Sequence, residues 1–466
     1  MTRARTLADL LDANGDIKSA NLDNVPASDN ASALTTGTLP IARLADSSIT
    51  PAKLSNDAKV VKSGSAPSNP VEGNLWYDTT NDALKVYDDT TSSFVKVVRV
   101  TPTLDSISGN IVNGSAGNLT LNGSGFLATG LIVSFTPSGG SATTVTVTPT
   151  NDTTATVAIP NAIYGQSTST VIGIKVTNSD VKSSSTVNKS VVDLPSGGTI
   201  TNSGGYRIHT FTSSGTFTNT LSLTNVEYLV IAGGGGGGGR HGGGGGAGGY
   251  RSSVVGENSG RGASAETRQS ISAGSYTVTV GAGGVAGAGS SGTAAVGKQG
   301  GNSVFNGITS IGGGGGANDG DTQSYMSGGS GGGGTYDING GSGTSGQGYD
   351  GGSAGSNNPS YGAGGGGAGQ QGNDGSSSGG GNGGNGVSSS ITGSAVTRAG
   401  GGGGANHNGG TNGSGGSGGG GNAGTSNQNA TANTGSGGGG HPTGINGDGS
   451  SAGTGGSGIV IVRYQV

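Results

Sequence analysis

The chain contains no cysteine, one tryptophan and 12 prolines in 466 residues, and only 10% of its side chains are charged. Without cysteine there is no disulfide framework, thiol nucleophile or thiolate metal site. So little proline excludes a collagen helix, which needs a strict Gly-X-Y repeat rich in imino acids. Lys and Arg number 21 against 25 Asp and Glu, a net charge of −4 that leaves no polybasic footprint for nucleic acid or anionic membrane. No run of about 18 apolar residues is long enough to cross a bilayer. The opening "MTRARTLADLLDANGDIKSA" carries Arg3 and Arg5 but no long apolar core and no small-residue cleavage pattern, so no export signal is expected.

Catalytic patterns are equally scarce. The four histidines, His209, His241, His407 and His441, show no His-Glu-x-x-His spacing. The segments "NDGD" (318–321) and "NGDG" (446–449) lack the later bidentate Glu of a calcium loop and read as turns. No Gly-Lys-Ser/Thr follows the glycine run at 233–239, which excludes a Walker loop. Nothing in the spacing identifies the paired carboxylates of a glycoside hydrolase. A non-enzymatic protein with no cofactor and no metal is expected.

What is abundant is glycine. The total is 109, and only 16 fall in residues 1–200, so the other 93 crowd into 201–466. Such composition suits a flexible linker. Here, however, the glycine-rich region has strand-like segments before it ("YRIHTFTSSGTFTN", "VEYLVIA"), inside it ("GSYTVTVGAGG", "NSVFNGITSI") and at its end ("GIVIVRYQV"). The terminal strand needs partners, and "EYLVIA" and "YTVTV" are the expected ones. The runs also repeat every three residues: Asn382 and Asn385, Ser414 and Ser417, Thr454 and Ser457. Three residues per turn is the polyproline II helix, which has no internal hydrogen bonds. Glycine helices of this form hold their order only when packed side by side, because each ordered residue costs about 1–2 kcal/mol. Interior helices must then be pure glycine, as at 233–239, and surface helices can carry one small polar residue per turn.

The fold expected is mainly β and polyglycine II, in four parts. Residues 1–61 are polar and poor in apolar residues, a fibrous stalk segment that one chain cannot pack alone. Residues 62–99 read as a three-stranded meander ("LWYD", "ALKVYD", "FVKVV"), with Trp76 packed against Leu84, Val86 and Phe94. Residues 100–196 carry about seven short strands with turn signals between them, the pattern of an Ig-like β-sandwich. Its expected core is Ile107, Leu119, Leu121, Phe126, Val133, Phe135, Val157, Ile159, Ile174 and Val176. Residues 197–466 form the glycine-rich domain.

Three resemblances accompany this reading. "GTLPIARL" in the N-terminal segment and "EGNLWYDTTNDALKVYD" resemble units of bacteriophage tail fibres. The order "PTLDSISG…LTLNGSGF…VSFTP…VAIPNAIYG…IKVTNSD" resembles the IPT/TIG family. "FTSSGTFT…VEYLVIAGGGGGGG…YTVTVGAGG…GSGIVIVRY", spanning 206–466, resembles the glycine-rich domain of phage receptor-recognition adhesins, in which loops at polyglycine II helix ends bind the receptor. In those adhesins the domain is a separate protein seated on a trimeric fibre; here fibre-like modules share its chain. These resemblances imply a virion tail fibre protein that binds a host surface receptor, an outer-membrane protein or a glycan. They also imply attachment to tail or baseplate proteins through the N-terminus and assembly as a homotrimer. The alternative is a purely structural fibre. Segments between glycine runs hold the larger side chains, and tyrosine gives contact area at low entropic cost. The residues expected to bind are Tyr325, Met326, Tyr336, Tyr349, Tyr361, His407 and His441.

Overall fold

The computed structural model describes residues 60–81, 83–97, 101–128, 130–179, 181–288, 296–319, 325–354, 361–407, 409–426, 428–442 and 451–466. The N-terminal stalk expected over 1–61 lies almost wholly outside them. The chain divides into two compact units, Met1–Val100 and Thr101–Val466.

In the first unit the expected three strands are β2 (Leu75–Asp78), β3 (Ala83–Asp88) and β4 (Ser93–Lys96). A fourth that the periodicity did not reveal, β1 (Val60–Ser63), runs parallel to β2. Its four residues are too few to display an alternation. Trp76 is buried, meets Phe94 edge to face at 5.2 Å, and donates its indole N–H to the Ser63 carbonyl at 3.1 Å. Asp78, also buried, accepts from Asn81 and Lys85 at 2.8 and 2.9 Å, and these two partners hold its carboxyl below the usual range.

The second unit begins with a two-sheet sandwich. One sheet holds β5 (Thr103–Ser108), β7 (Asn118–Ser124) and β10 (Thr154–Ala158). The other holds β6 (Ile111–Val112), β8 (Leu131–Pro137), β9 (Thr143–Val147), β11 (Val171–Asn178) and β12 (Val187–Val192). Alternate residues point inward, as period-two strands with one wet face require. Every expected core residue packs there; all are buried except Ile107, which is partly buried against the cluster. One helical turn, α1 (Asn161–Tyr164), adds Ile163 to this core.

Two further sheets follow. The first has the order β13 (Thr199–Ser203), β14 (Tyr206–Phe211), β24 (Ile459–Gln465), β16 (Leu223–Ile231) and β17 (Tyr250–Ser252), with β18 (Gln269–Ile271) also on β16. The second joins β15 (Gly215–Asn219), β19 (Gly274–Thr279), β20 (Ser303–Phe305) and β21 (Ile308–Ser310). The terminal strand β24 does pair with "EYLVIA", but its other neighbour is β14 rather than the expected "YTVTV". β19 instead supplies Val278 to the layer facing β24. β24 is covered on both sides: Val460, Val462 and Tyr464 enter one cluster, and Ile459 and Ile461 the other. That explains its unbroken apolar run. A small hairpin, β22 (Val387–Ser389) and β23 (Val396–Arg398), completes the strands described.

The glycine runs leave these sheets as a packed lattice. Along 233–239 every third residue meets the same neighbour. Gly233 and Gly236 donate to Gly301 and Lys298, Gly234 and Gly237 to Gly456 and Gly453, and Gly235 and Gly238 to Gly246 and Gly243, all at 2.8–3.0 Å. The carbonyls accept with the same period, Gly233 and Gly236 from Gly313 and Gly316, Gly234 and Gly237 from Gly284 and Gly287, Gly235 and Gly238 from Gly438 and His441. This is polyglycine II packing: three residues per turn, with the N–H groups feeding antiparallel neighbours and the C=O groups fed by parallel ones. All of 233–239 is buried. A Cβ on Gly236 would lie 2.1 Å from the Val285 oxygen, and one on Gly237 the same distance from that of Gly439. Absence of Cβ is what lets the backbones approach.

At the lattice margin the three-residue rule shows in exposure. Asn382, Asn385, Ser414, Ser417 and Thr454 are exposed, while Gly381, Gly384, Gly413 and Gly416 are buried. The asparagines also cap N–H groups that no described backbone carbonyl takes: Asn382 Oδ1 accepts from Ser414 N (2.8 Å), Asn385 from Ser417 (3.0 Å), Asn422 from Gly415 (2.9 Å) and Asn429 from Thr454 (2.9 Å).

Candidate functional site

The runs that leave the sheets end in turns at the far side of the lattice. Several of these turns converge. The 233–239 run ends in Arg240-His241 and returns at Gly242. The run from Gly312 ends at Ala317-Asn318-Asp319, and 330–334 ends at Thr335-Tyr336. Tyr361 opens an inward run, and 400–405 ends at Asn406-His407. Hydrogen bonds hold the ends in register: Thr335 Oγ1 donates to the His241 carbonyl (2.6 Å), Gly362 N to Ala405 O (2.9 Å), and Gly242 N to His441 O (3.3 Å).

The side chains form one cluster. The His241 and His407 rings stack with centroids 4.0 Å apart and planes 24° from parallel. Tyr336 lies 6.3 Å from His241 and 6.5 Å from His407, and Tyr361 meets His407 at 6.5 Å, edge on. Asp319 sits beside them, 3.4 Å from Arg240 Nε and 4.0 Å from His241 Nδ1. Burial holds the His241 imidazole neutral, pushing its pKa down to about 4; His407 and Arg240 act the same way, and Asp319 opposes them. Burial, then the Asp319 carboxylate, raises the Tyr336 phenol. Among the described residues, neither His241 Nδ1 nor His407 Nδ1 has a hydrogen-bond partner.

The turns are built in an unexpected way. Arg240, His241 and Tyr336 have φ of 44°, 52° and 51°. Glycine adopts this left-handed region freely, whereas bulky side chains there are strained. Gly410 shows the opposite choice: a Cβ on it would lie 2.6 Å from the Tyr361 ring, so glycine makes room for the tyrosine.

Of the residues expected to bind, Tyr336, Tyr361 and His407 meet in this cluster. His441 is at the same end through its backbone, with its side chain buried. Tyr325 is 56% exposed on the flank, φ 75°, with Lys298 Nζ 4.7 Å above its ring. Met326 does not reach the surface. It is buried, and its carbonyl accepts from Gly332 N inside the lattice. Tyr349 lies at the sheet end instead, beside the Arg261 guanidinium at 5.5 Å, where Arg261 pairs with Asp350 at 2.9 Å. Sequence reasoning did not select Arg240, His241 or Asp319. The signal for the first two was their position as the sole interruption between glycine runs.

Among the described residues, no three His, Asp or Glu side chains come together to hold a metal ion. No helix among the described residues is long and apolar enough to cross a membrane. Residues 210–465 match the family model described as a glycine-rich domain, and the chain belongs to that family. No curated protein matches the chain.

Proposed function

We propose that this protein is an adhesin of a bacteriophage tail fibre and that the far end of its glycine lattice binds a receptor on the host surface. One observation carries the reading. In a domain where about one residue in three is glycine, three positions in the tip turns that adopt a left-handed backbone hold Arg240, His241 and Tyr336 instead. Strain of this kind persists where the side chain is needed. The lattice beneath is rigid, and a rigid scaffold presenting aromatic turns is a binding architecture. On this reading the β-sandwich is a spacer, and the fibre-like N-terminal segment joins a trimer to the tail. An outer-membrane protein or a glycan is the receptor class.

The test is binding of the labelled full-length chain to intact bacterial cells across a panel of Gram-negative strains. Tyr336→Ala together with His407→Ala is expected to lower binding to a responsive strain at least tenfold with the melting transition retained. Equal binding by the double variant, or binding by no strain, would exclude the tip as the recognition surface.

A further inference from the structure

The stacked histidines suggest how the tip is controlled. His241 is buried among groups from several described run ends. Arg240 precedes it on its own turn. Asp319 faces it from the end of the run that starts at Gly312, Tyr336 from the 330–334 run, and His407 from the 400–405 run. Tyr361 closes the far side of His407, and the His441 backbone lies behind Gly242. Two imidazoles 4.0 Å apart pack well when uncharged and poorly when either carries a proton, because a charged ring loses water and gains a cationic neighbour in Arg240. Among the described residues the Asp319 carboxylate is the only anion paired with them, and Arg240 already shares it.

We propose that the tip is an acid-sensitive latch, closed while His241, stacked on His407, is neutral and opened by protonation of His241, so that Tyr336 and His407 lose their fixed arrangement in mild acid. The effect on binding rests on the receptor reading above; the opening itself does not. An opened turn exposes His241 to water, where it titrates near the ordinary value, whereas in the closed tip it resists protonation down to about pH 4. Between those limits each fall of one pH unit favours the open state by up to tenfold, and above them nothing changes. The left-handed strain at Arg240, His241 and Tyr336 assists release, since an open turn relieves it.

Hydrogen–deuterium exchange of the full-length chain between pH 7.5 and 4.5, corrected for intrinsic rates, tests the latch. Protection of peptides covering 239–243 and 404–407 should be constant above pH 6.5 and then fall by up to tenfold per unit. Protection of 233–238 should fall far less. His241→Asn, which tolerates the left-handed backbone and does not titrate, should flatten the profile. Histidine NMR of the wild-type chain gives a second readout, with one imidazole remaining neutral well below pH 6. Flat protection in the wild type, or an unchanged slope in His241→Asn, would overturn the latch. Cell binding at pH 7.5 and 5 separates the two readings. A pH-dependent tip with no binding at either pH would sink the receptor reading alone, and strong binding at pH 7.5 with flat protection would sink the latch alone.

Discussion

At the scale of single residues, glycine's value here is its missing Cβ. A methyl group on Gly236 would sit 2.1 Å from a backbone oxygen that belongs to a neighbouring helix and has no flexible end to move away. Gly236→Ala must therefore shift the 281–288 run and disturb the bonds from Gly236 N to Lys298 and from Gly316 N to Gly236. The expected cost is at least the 1–3 kcal/mol, about, of ordinary overpacking. Ser417 is exposed on a margin helix that already carries a side chain. Ser417→Ala should change stability by about 0.5 kcal/mol or less, the usual size of a surface substitution. Thermal melts of both variants beside wild type check this. In a flexible spacer the two would be equally silent, and the lattice would then have no energetic reality.

At the scale of elements, a polyglycine helix at the margin has the same difficulty as an edge strand: a row of unpaired N–H groups. The asparagines answer it. Asn382, Asn385, Asn422 and Asn429 each reach across to a neighbouring run and accept from an amide that would otherwise face water, as Asn385 does for Ser417. Water can replace an exposed acceptor, so Asn385→Ala should cost only about 0.5–1 kcal/mol. The exchange rate of the Ser417 amide should rise clearly while Gly416, bonded to Gly401 O, stays protected. Amide exchange resolved at those two residues would show it, and unchanged protection at Ser417 would mean the cap is incidental. The period of three was legible in the sequence because it follows from helix geometry alone. The partner of each asparagine was not, since 382 finds 414 and 429 finds 454 only through the packing order of the runs.

At the scale of the whole molecule, legibility followed the same line between local and distant causes. The sandwich core could be read residue by residue because strand alternation is local, and nine of its ten expected members are fully buried. The need to fold the glycine region was legible in its bookend strands. Pairing β19 with β24 was the wrong expectation, because the sequence cannot say which of two apolar strands is in the same sheet and which faces it from the next. The tip was legible only in part for a related reason: Tyr336, Tyr361 and His407 were expected to bind, but that they meet Arg240, His241 and Asp319 follows only once the runs have been stacked. What survives is that the last strand closes the domain, and the structure makes that claim stronger. β24 lies between β14 and β16, with partners on both edges and a hydrophobic cluster on both faces. Its five buried chains, Ile459, Val460, Ile461, Val462 and Tyr464, are worth about 1.5–3 kcal/mol apiece. Their sum rivals the whole net stability of a domain, about 5–15 kcal/mol. The run leading into β24 also supplies carbonyls to Gly234 and Gly237 at the lattice centre. Deleting 458–466 should therefore remove the cooperative melt of the glycine domain and expose its runs to protease, while the 100–196 sandwich, whose core is a separate cluster, resists digestion. Limited proteolysis with mass analysis of the fragments distinguishes the outcomes, and a truncated chain that kept a protected 200–457 fragment would show that the lattice holds itself together without its closing strand.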